Sequence, residues 1–282
     1  MDNLRELQLV ELNILKETLR LFEKHHISYF ALGGTMLGAV RHQGFIPWDD
    51  DIDIGVPRED FEHLREISRE LPERFKFCTF YDDPEYPYYF ARFEDEAMLV
   101  RSTRAEDDEL TPAWIDVFPL DGMPDNGFFR KIHGMAILVA RMIFQISRYS
   151  SIVNVKRDNR PLYEKAIIWC TKVFRLERVF GNAWSFFLLD KTLKRCLYQG
   201  SGYNINAMGA YKLREMFDKR VFGNGRMYSF EDIQICGPQD YETYLTQLYG
   251  DWRTPADFSH HSVTEITRRE DCREPEEERK QI

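Results

Sequence analysis

Apolar side chains recur at Leu4, Leu7, Val10, Ile14, Leu15, Leu19 and Phe22, with charged residues between them. This is the spacing of one helical face, so residues 4–25 are predicted to form an amphipathic helix covering a sheet. His25 and His26 close it, where cations suit the negative end of the helix dipole. Tyr29 to Leu32 is a short apolar run of the kind found in buried strands. Helical spacing returns over Arg58 to Leu71 and stops at Pro72. Phe75 to Phe80 alternates aromatic and polar residues and predicts a strand. Tyr88 to Phe93 and Ala97 to Arg101 read as a hairpin turning at Glu94-Asp95-Glu96. Ala113 to Leu120 is an apolar strand interrupted by Asp116, and Asp121 with Gly122 reads as the turn that caps it.

The pattern changes from Phe128 to about Gly200, where apolar and basic residues alternate at helical spacing. Met135 to Ile146 is strongly apolar around Arg141 but too short to span a bilayer. A break at Lys156-Arg157-Asp158-Asn159-Arg160-Pro161 separates it from two further predicted helices, Tyr163 to Val179 and Trp184 to Tyr198. Lys212 and Glu215, three apart, are expected to share a helix face and pair. Phe230 to Cys236 reads as a strand. A helix follows, with Pro238 near its start and Gly250 at its end. Charges dominate from Arg268, and that tail is expected to be disordered.

The chemistry concentrates between these elements. After the first short strand come Gly33, Gly34 and Thr35, a small amphipathic segment ending in Arg41 and His42, and then Asp49-Asp50-Asp51-Ile52-Asp53-Ile54. In a strand, residues two apart share a face, so Asp51 and Asp53 point one way and Ile52 and Ile54 point into the core. Carboxylates so placed repel each other unless a cation lies between them, and oxygen-only ligands suit Mg²⁺ or Mn²⁺. The two glycines can bring backbone N–H groups and a helix N-terminus against a phosphate. A calcium loop is the rival reading. Counted from Asp49, acids fall at positions 1, 3 and 5, but position 6 is Ile54 and position 12 is Asp60, where an EF-hand needs Gly and Glu. Asp116 adds a carboxylate in an apolar strand, and a metal shared with Asp51 and Asp53 would offset its burial. Asp49 is a further ligand candidate. Gly33, Gly34 and Thr35 are assigned to donor phosphates, Arg41 to the charge developing on them, and His42 to the same role or a structural one.

The run GGTMLGAVRHQGFIPWDDDIDIGVPREDF closely resembles the signature of the LicD family of phosphotransferases. The segment Trp114-Ile115-Asp116-Val117-Phe118-Pro119-Leu120-Asp121-Gly122 resembles a second family motif, and Tyr211 to Phe217 and Tyr249 to Trp252 resemble two shorter ones. The resemblance implies an α/β (α+β) fold: a nucleotidyltransferase-like mixed-sheet core with an inserted helical subdomain. On that reading residues 1–125 are the catalytic core, 126–205 the helical subdomain, 206–267 the C-terminal part of the core and 268–282 the charged tail. It also implies transfer of a phosphoryl substituent, with phosphocholine from CDP-choline the first choice. The acceptor would be a hydroxyl of a glycan, a lipid-linked saccharide or a teichoic acid precursor. Asp116 matches the third carboxylate that this superfamily requires, and Arg92 lies where the family places a basic residue. Two alternatives stand beside this. A nucleotidyltransferase would leave the nucleotide monophosphate on its acceptor, and a non-catalytic metal-binding scaffold could use the same fold. The presence of all three acids argues against the scaffold.

Composition narrows the partners. The 282 residues carry a net charge of −9, with a pI of about 5.4. Such a balance argues against sequence-independent nucleic-acid binding, which needs a basic surface. Cys78, Cys170, Cys196, Cys236 and Cys272 form no zinc-like spacing and read as free thiols. The first residues lack the layout of a signal peptide. The expectation is a cytoplasmic enzyme, in peripheral contact with the inner membrane face. Tyr86, Tyr88 and Tyr89 suit a choline headgroup chemically but are read as core or strand formers.

Overall fold

A computed structural model of the chain describes residues 3–102, 110–148, 181–254 and 263–272. Helix α1 (Asn3–His25) runs one residue beyond the predicted start and buries Leu7, Ile14, Leu15 and Phe22. Gln8 and Glu11 are buried on the same face. Strand β1 (Phe30–Ala31) leads into helix α2 (Gly33–His42), followed by strand β2 (Asp53–Pro57), helix α3 (Arg58–Ile67) and strand β3 (Phe75–Cys78). Two long strands, β4 (Ala91–Ser102) and β5 (Leu110–Met123), form the middle of the sheet. Its main path ends at strand β10 (Val263–Arg268), in the order β1-β2-β5-β4-β10. The β2–β5 pairing is parallel, whereas β1–β2, β4–β5 and β4–β10 are antiparallel. The sheet is therefore mixed, and the fold is of the expected α/β kind.

The helical part follows β5. Helices α4 (Gly127–Ser147) and α5 (Asn182–Leu193) pack together over Ile137, Phe144, Phe186 and Leu189, joined by Phe80, Tyr86 and Tyr89 from the β3–β4 side. The outer side of α4 is apolar rather than basic: Phe128, Phe129, Ile132, Met135 and Val139 are exposed. Arg141, buried inside, donates to the carbonyls of Ala207 and Gly209. No helix among the described residues is long and apolar enough to cross a membrane. Strands β6 (Tyr203–Ile205) and β7 (Met216–Asp218) extend β5 at its C-terminal end. A short helix α6 (Lys219–Phe222), strands β8 (Arg226–Phe230) and β9 (Ile233–Gly237), and helix α7 (Tyr241–Tyr249) complete the core behind α2.

Five expectations need correction. The hairpin at Glu94-Asp95-Glu96 is one continuous strand, β4, with its register against β5 shifting between Asp95 and Leu99. Asp95 is fully buried because Arg74, on the neighbouring segment, donates to both of its oxygens at 2.7 and 2.6 Å. Asp121 does not cap a turn. It lies within β5, fully buried, and takes two bonds from Arg58. Phe230 to Cys236 is two antiparallel strands, β8 and β9, turning at Glu231, whose φ is +54°. Glu215 does not pair with Lys212: the Lys212–Glu215 segment is a 3-10 turn, and Glu215 points inward to accept from the Tyr211 N–H at 2.8 Å. The charged tail is ordered further than expected, since Arg269–Cys272 forms a 3-10 turn and Arg269 binds Glu96. The acidic run Glu106 to Glu109, the break at 156–161, the helix expected over 163–179 and the tail from 273 lie outside the described residues.

Candidate active site

The site forms where α2, the loop before β2 and the middle of β5 meet. Gly33 has φ +51°, a left-handed conformation that only glycine adopts without strain, and it turns the chain straight from β1 into α2. A Cβ on Gly33 would stand 3.3 Å from Asp53 Oδ2, and one on Gly34 would stand 2.5 Å from Asp49 Oδ2. The two glycines thus let carboxylates approach the start of α2. Leu32, the residue before the helix, supplies no side-chain cap, and the Asp49 carboxylate approaches Gly34 at the positive pole of the helix, where anions are favoured. The Gly33 N–H donates to the Tyr244 hydroxyl at 2.9 Å. Thr35 is buried, and its hydroxyl accepts from the Asp53 N–H at 2.8 Å. Thr35 therefore positions Asp53 directly.

The acids are arranged in two groups. Asp49, Asp50 and Asp51, all half-buried, each offer one oxygen within 4.8 Å of the others. Asp53 and Asp116 lie outside that group but face each other in register across the parallel β2–β5 pair. The Asp116 N–H donates to the Ile52 carbonyl at 2.9 Å, which locks this register. Ile52 and Ile54 are buried, as the alternation predicts. Burial pushes the Asp53 carboxyl well above the usual carboxylate range, and the charges of Asp51, Asp116, Asp49 and Glu215 push it further. Such crowding of like charge is the condition a bound divalent cation relieves. The donor set is all oxygen, which fits Mg²⁺ or Mn²⁺ and does not fit a zinc centre built on thiolates.

Arg92 is the basic partner. Its Nε donates to Asp116 Oδ1 at 2.8 Å. Its guanidinium lies between the rings of Tyr88 and Trp114, 4.1 and 4.2 Å from their centroids. Burial alone would lower its pKa, but Asp116, with Tyr88 and Tyr86 adding to it, outweighs this and raises it, so the guanidinium is charged. Tyr86 and Tyr89, by contrast, belong to the second core. Arg41 and His42 stand at the far end of α2, with Arg41 about 12 Å along the axis from Gly33 at 1.5 Å per residue. The Arg41 guanidinium donates to the Trp252 carbonyl and to His42 Nε2. Burial lowers its pKa, and the nearby Tyr249 hydroxyl offsets part of this. That hydroxyl also stands 3.8 Å from where a Cβ on Gly33 would lie, so it links the two ends of α2. His42 is lowered too, by burial and by Arg41, which favours the neutral ring.

Three contributors escaped the sequence reading. Asp50 completes the tight acid group. Glu215, 7% exposed, adds negative charge toward Asp53, and burial raises its own pKa to about 7. Glu11 lies under the acids from the α1 side, and burial together with Asp51, Asp50, Asp49 and Asp116 holds its carboxyl well above the usual range. The signal for Glu11 was present: it falls at a core position of the apolar stripe, between Leu7 and Ile14.

Residues 26–133 match the model of the LicD/FKTN/FKRP nucleotidyltransferase domain. The lipopolysaccharide cholinephosphotransferase LicD of Haemophilus influenzae is 30% identical over 251 residues, covering 88% of this chain and 91% of that protein. An uncharacterised protein of Rickettsia prowazekii is 54% identical over 54 residues, 19% of this chain and 20% of its own length. The human ribitol 5-phosphate transferase FKRP is 38% identical over 60 residues, 20% of this chain and 12% of that protein.

Proposed function

Since this chain belongs to the LicD family and is a phosphotransferase, we propose that it transfers phosphocholine from CDP-choline to a glycan hydroxyl. In this reaction the acceptor oxygen forms a bond to the phosphorus bearing choline. The bond from that phosphorus to CMP breaks, and CMP leaves. The observation that carries the reading is the facing of Asp53 and Asp116 across β2 and β5, with Asp49, Asp50 and Asp51 beside them at the start of α2.

Asp51, Asp53 and Asp116 would hold the cation, with Asp49 and Asp50 adjoining. A bound Mg²⁺ or Mn²⁺ supplies positive charge to the donor phosphates and to the oxygens exchanged at phosphorus. Gly33 and Gly34 leave room at the helix N-terminus for anionic groups. Thr35 fixes the backbone of Asp53. Arg92 holds Asp116 in one orientation, and its own position is set by Tyr88 and Trp114. Arg41, with His42 against it, brings positive charge to the donor from the other end of α2.

The name of the Haemophilus relative favours a lipopolysaccharide acceptor, and that of the FKRP relative, a ribitol 5-phosphate transferase, puts a phosphoalcohol other than choline among the donors to test. On this reading the acceptor is a cell-surface glycan or its lipid-linked precursor. The test is incubation of the full chain with Mg²⁺, a panel of CDP-linked donors and candidate saccharides, following CMP release. Acceptor-dependent CMP release from CDP-choline is expected. Transfer of CMP itself to the acceptor would replace this reading with a nucleotidyltransferase.

A further inference from the structure

Glu11 stands out among the buried ionisable groups that the proposed reaction does not use. A helix that only covers a sheet needs an apolar residue at this place, and its neighbours on the same face are Leu7, Ile14 and Leu15. Glu11 is 3% exposed, and its Oε2 has no hydrogen-bond partner. Leaving a carboxyl oxygen buried and unbonded is unfavourable. The groups acting on it most strongly are all acids: Asp51, Asp50, Asp49 and Asp116. The helix is held against them by Gln8, one turn earlier, which donates to the Asp49 carbonyl at 2.9 Å and to the Ile46 carbonyl at 3.4 Å. An unbonded carboxyl oxygen is thus fixed at the rim of the only three-acid group found among the described residues.

We propose that Glu11 is a positioning residue of the cation site, its Oε2 accepting a hydrogen bond from water held by the cation bound at Asp49–Asp53 and Asp116. This rests on the reading of those aspartates as the cation site. It gives α1 a part in the chemistry, at the acid that interrupts its apolar stripe. Residues that orient the immediate ligands of a metal are often carboxylates, and their loss weakens binding without removing a ligand.

The experiment titrates the metal-free full chain with Mn²⁺, reading free Mn²⁺ by electron paramagnetic resonance, and records thermal melts in EDTA. Wild type, E11Q and E11D are compared. Glu11→Gln keeps the volume and removes the charge, so its affinity for Mn²⁺ is expected to fall by about tenfold or more. Its melting temperature in EDTA should equal or exceed that of wild type, because the amide does not bear the cost of keeping a buried carboxyl among four aspartates. Glu11→Asp keeps the charge and should retain more affinity than Glu11→Gln. Mn²⁺ affinity of E11Q within twofold of wild type overturns the inference. So does an E11Q chain that fails to fold or melts several degrees lower in EDTA, since Glu11 is then a structural acid. A wild-type chain that takes up no Mn²⁺ overturns the cation site as well, which separates the two failures.

Discussion

Asp116 and Asp121 stand five residues apart on β5, on opposite faces of the sheet, and each is bonded to an arginine. Asp121 is sealed: Arg58 Nε and Nη2 reach its two oxygens at 2.7 and 2.8 Å, and the Tyr89 hydroxyl accepts from the same guanidinium. Asp116 and Arg92 keep 15% of their side chains exposed, and Asp53 and the three-acid group lie alongside. The first pair is closed to anything else and joins α3 to the sheet. The second is an ion pair open to the space where a cation and phosphates would sit. The contrast separates a buried carboxylate that holds a fold together from one that the proposed reaction would use, on one strand and with the same pair of residue types.

Exchanging the two roles by mutation tests that contrast most severely. Asp121→Asn leaves Arg58 buried without its anion, and about 3–5 kcal/mol of stability should be lost. Chemical denaturation measures this, and activity should fall only as the folded fraction falls. Asp116→Asn should behave the other way. The sequence pattern alone suggests an acid relieved of repulsion when neutralised, but the bond to Arg92 means its removal leaves a cation partly unpaired. A loss of about 1 kcal/mol is therefore expected, because Arg92 keeps its two ring contacts and some solvent. Turnover, followed by CMP release, should drop by about a hundredfold or more, the scale of a lost preorganised electrostatic contact. A stable Asp121→Asn chain with a hundredfold loss of turnover would reverse the assignment.

How much of this contrast the sequence carried depends on the range of each interaction. The local half was legible. Two glycines before a short helix and isoleucines alternating with acids announce the α2 turn and the burial of Ile52 and Ile54, because those signals act over a few residues, whereas Asp51 precedes β2 and groups with Asp49 and Asp50 instead of sharing a strand face with Asp53. The distant half was not. Asp121 read as a turn cap since its partner, Arg58, is 63 positions away and nothing in the spacing announces the pair. Asp95 misled in the same way, because Arg74 makes an apparent turn into a strand interior. Arg92 could be placed by resemblance but not by pattern, for its partners Asp116 and Trp114 meet it only through the β4–β5 register. Asp116 itself was legible because a lone acid in an apolar strand demands a reason.

Glu215 extends the series to a buried acid with no arginine bonded to it. It accepts from the Tyr211 N–H, while Arg141 nearby donates to backbone carbonyls instead. Burial raises its pKa to about 7. A carboxyl raised in the folded state favours folding at low pH, and that advantage is lost as pH rises from the ordinary value near 4.5 to about 7. The metal-free chain should therefore lose about 3 kcal/mol across that window from this group. Urea titrations at pH 4.5 and 7.5 measure it, and Glu215→Gln should reduce the difference. Identical pH profiles for wild type and Glu215→Gln would show that the group is not raised.

The metal dependence separates the open pair from the sealed one at a slightly smaller scale. A ligand that binds only the folded chain, at a hundred times its Kd, stabilises it by about 2.7 kcal/mol. Mg²⁺ should raise the melting temperature of wild type by roughly 5 °C over the EDTA value. It should raise Asp121→Asn by about as much, and Asp116→Asn by less than half as much. EDTA should abolish turnover, and Mg²⁺ or Mn²⁺ should restore it. Full turnover in a verified metal-free preparation would remove the cation from the mechanism.

The smallest expected effect concerns Thr35, where the sequence pointed to donor phosphates and the fold supplies a different partner. The Thr35 hydroxyl accepts from the Asp53 N–H at the first residue of β2, beside the parallel register that brings Asp53 opposite Asp116. Thr35→Val keeps the shape and removes the acceptor, so a partly buried N–H loses its partner, at about 1–2 kcal/mol. Thr35→Ser keeps the hydroxyl and should cost less. If the hydroxyl serves Asp53, the valine variant should lower kcat with KM for CDP-choline little changed, since the reacting acids shift while donor binding stays. If it serves the donor, KM should rise severalfold and kcat should hold. Steady-state kinetics of the two variants, read beside their melting temperatures, distinguish a residue that positions an acid from one that holds a phosphate.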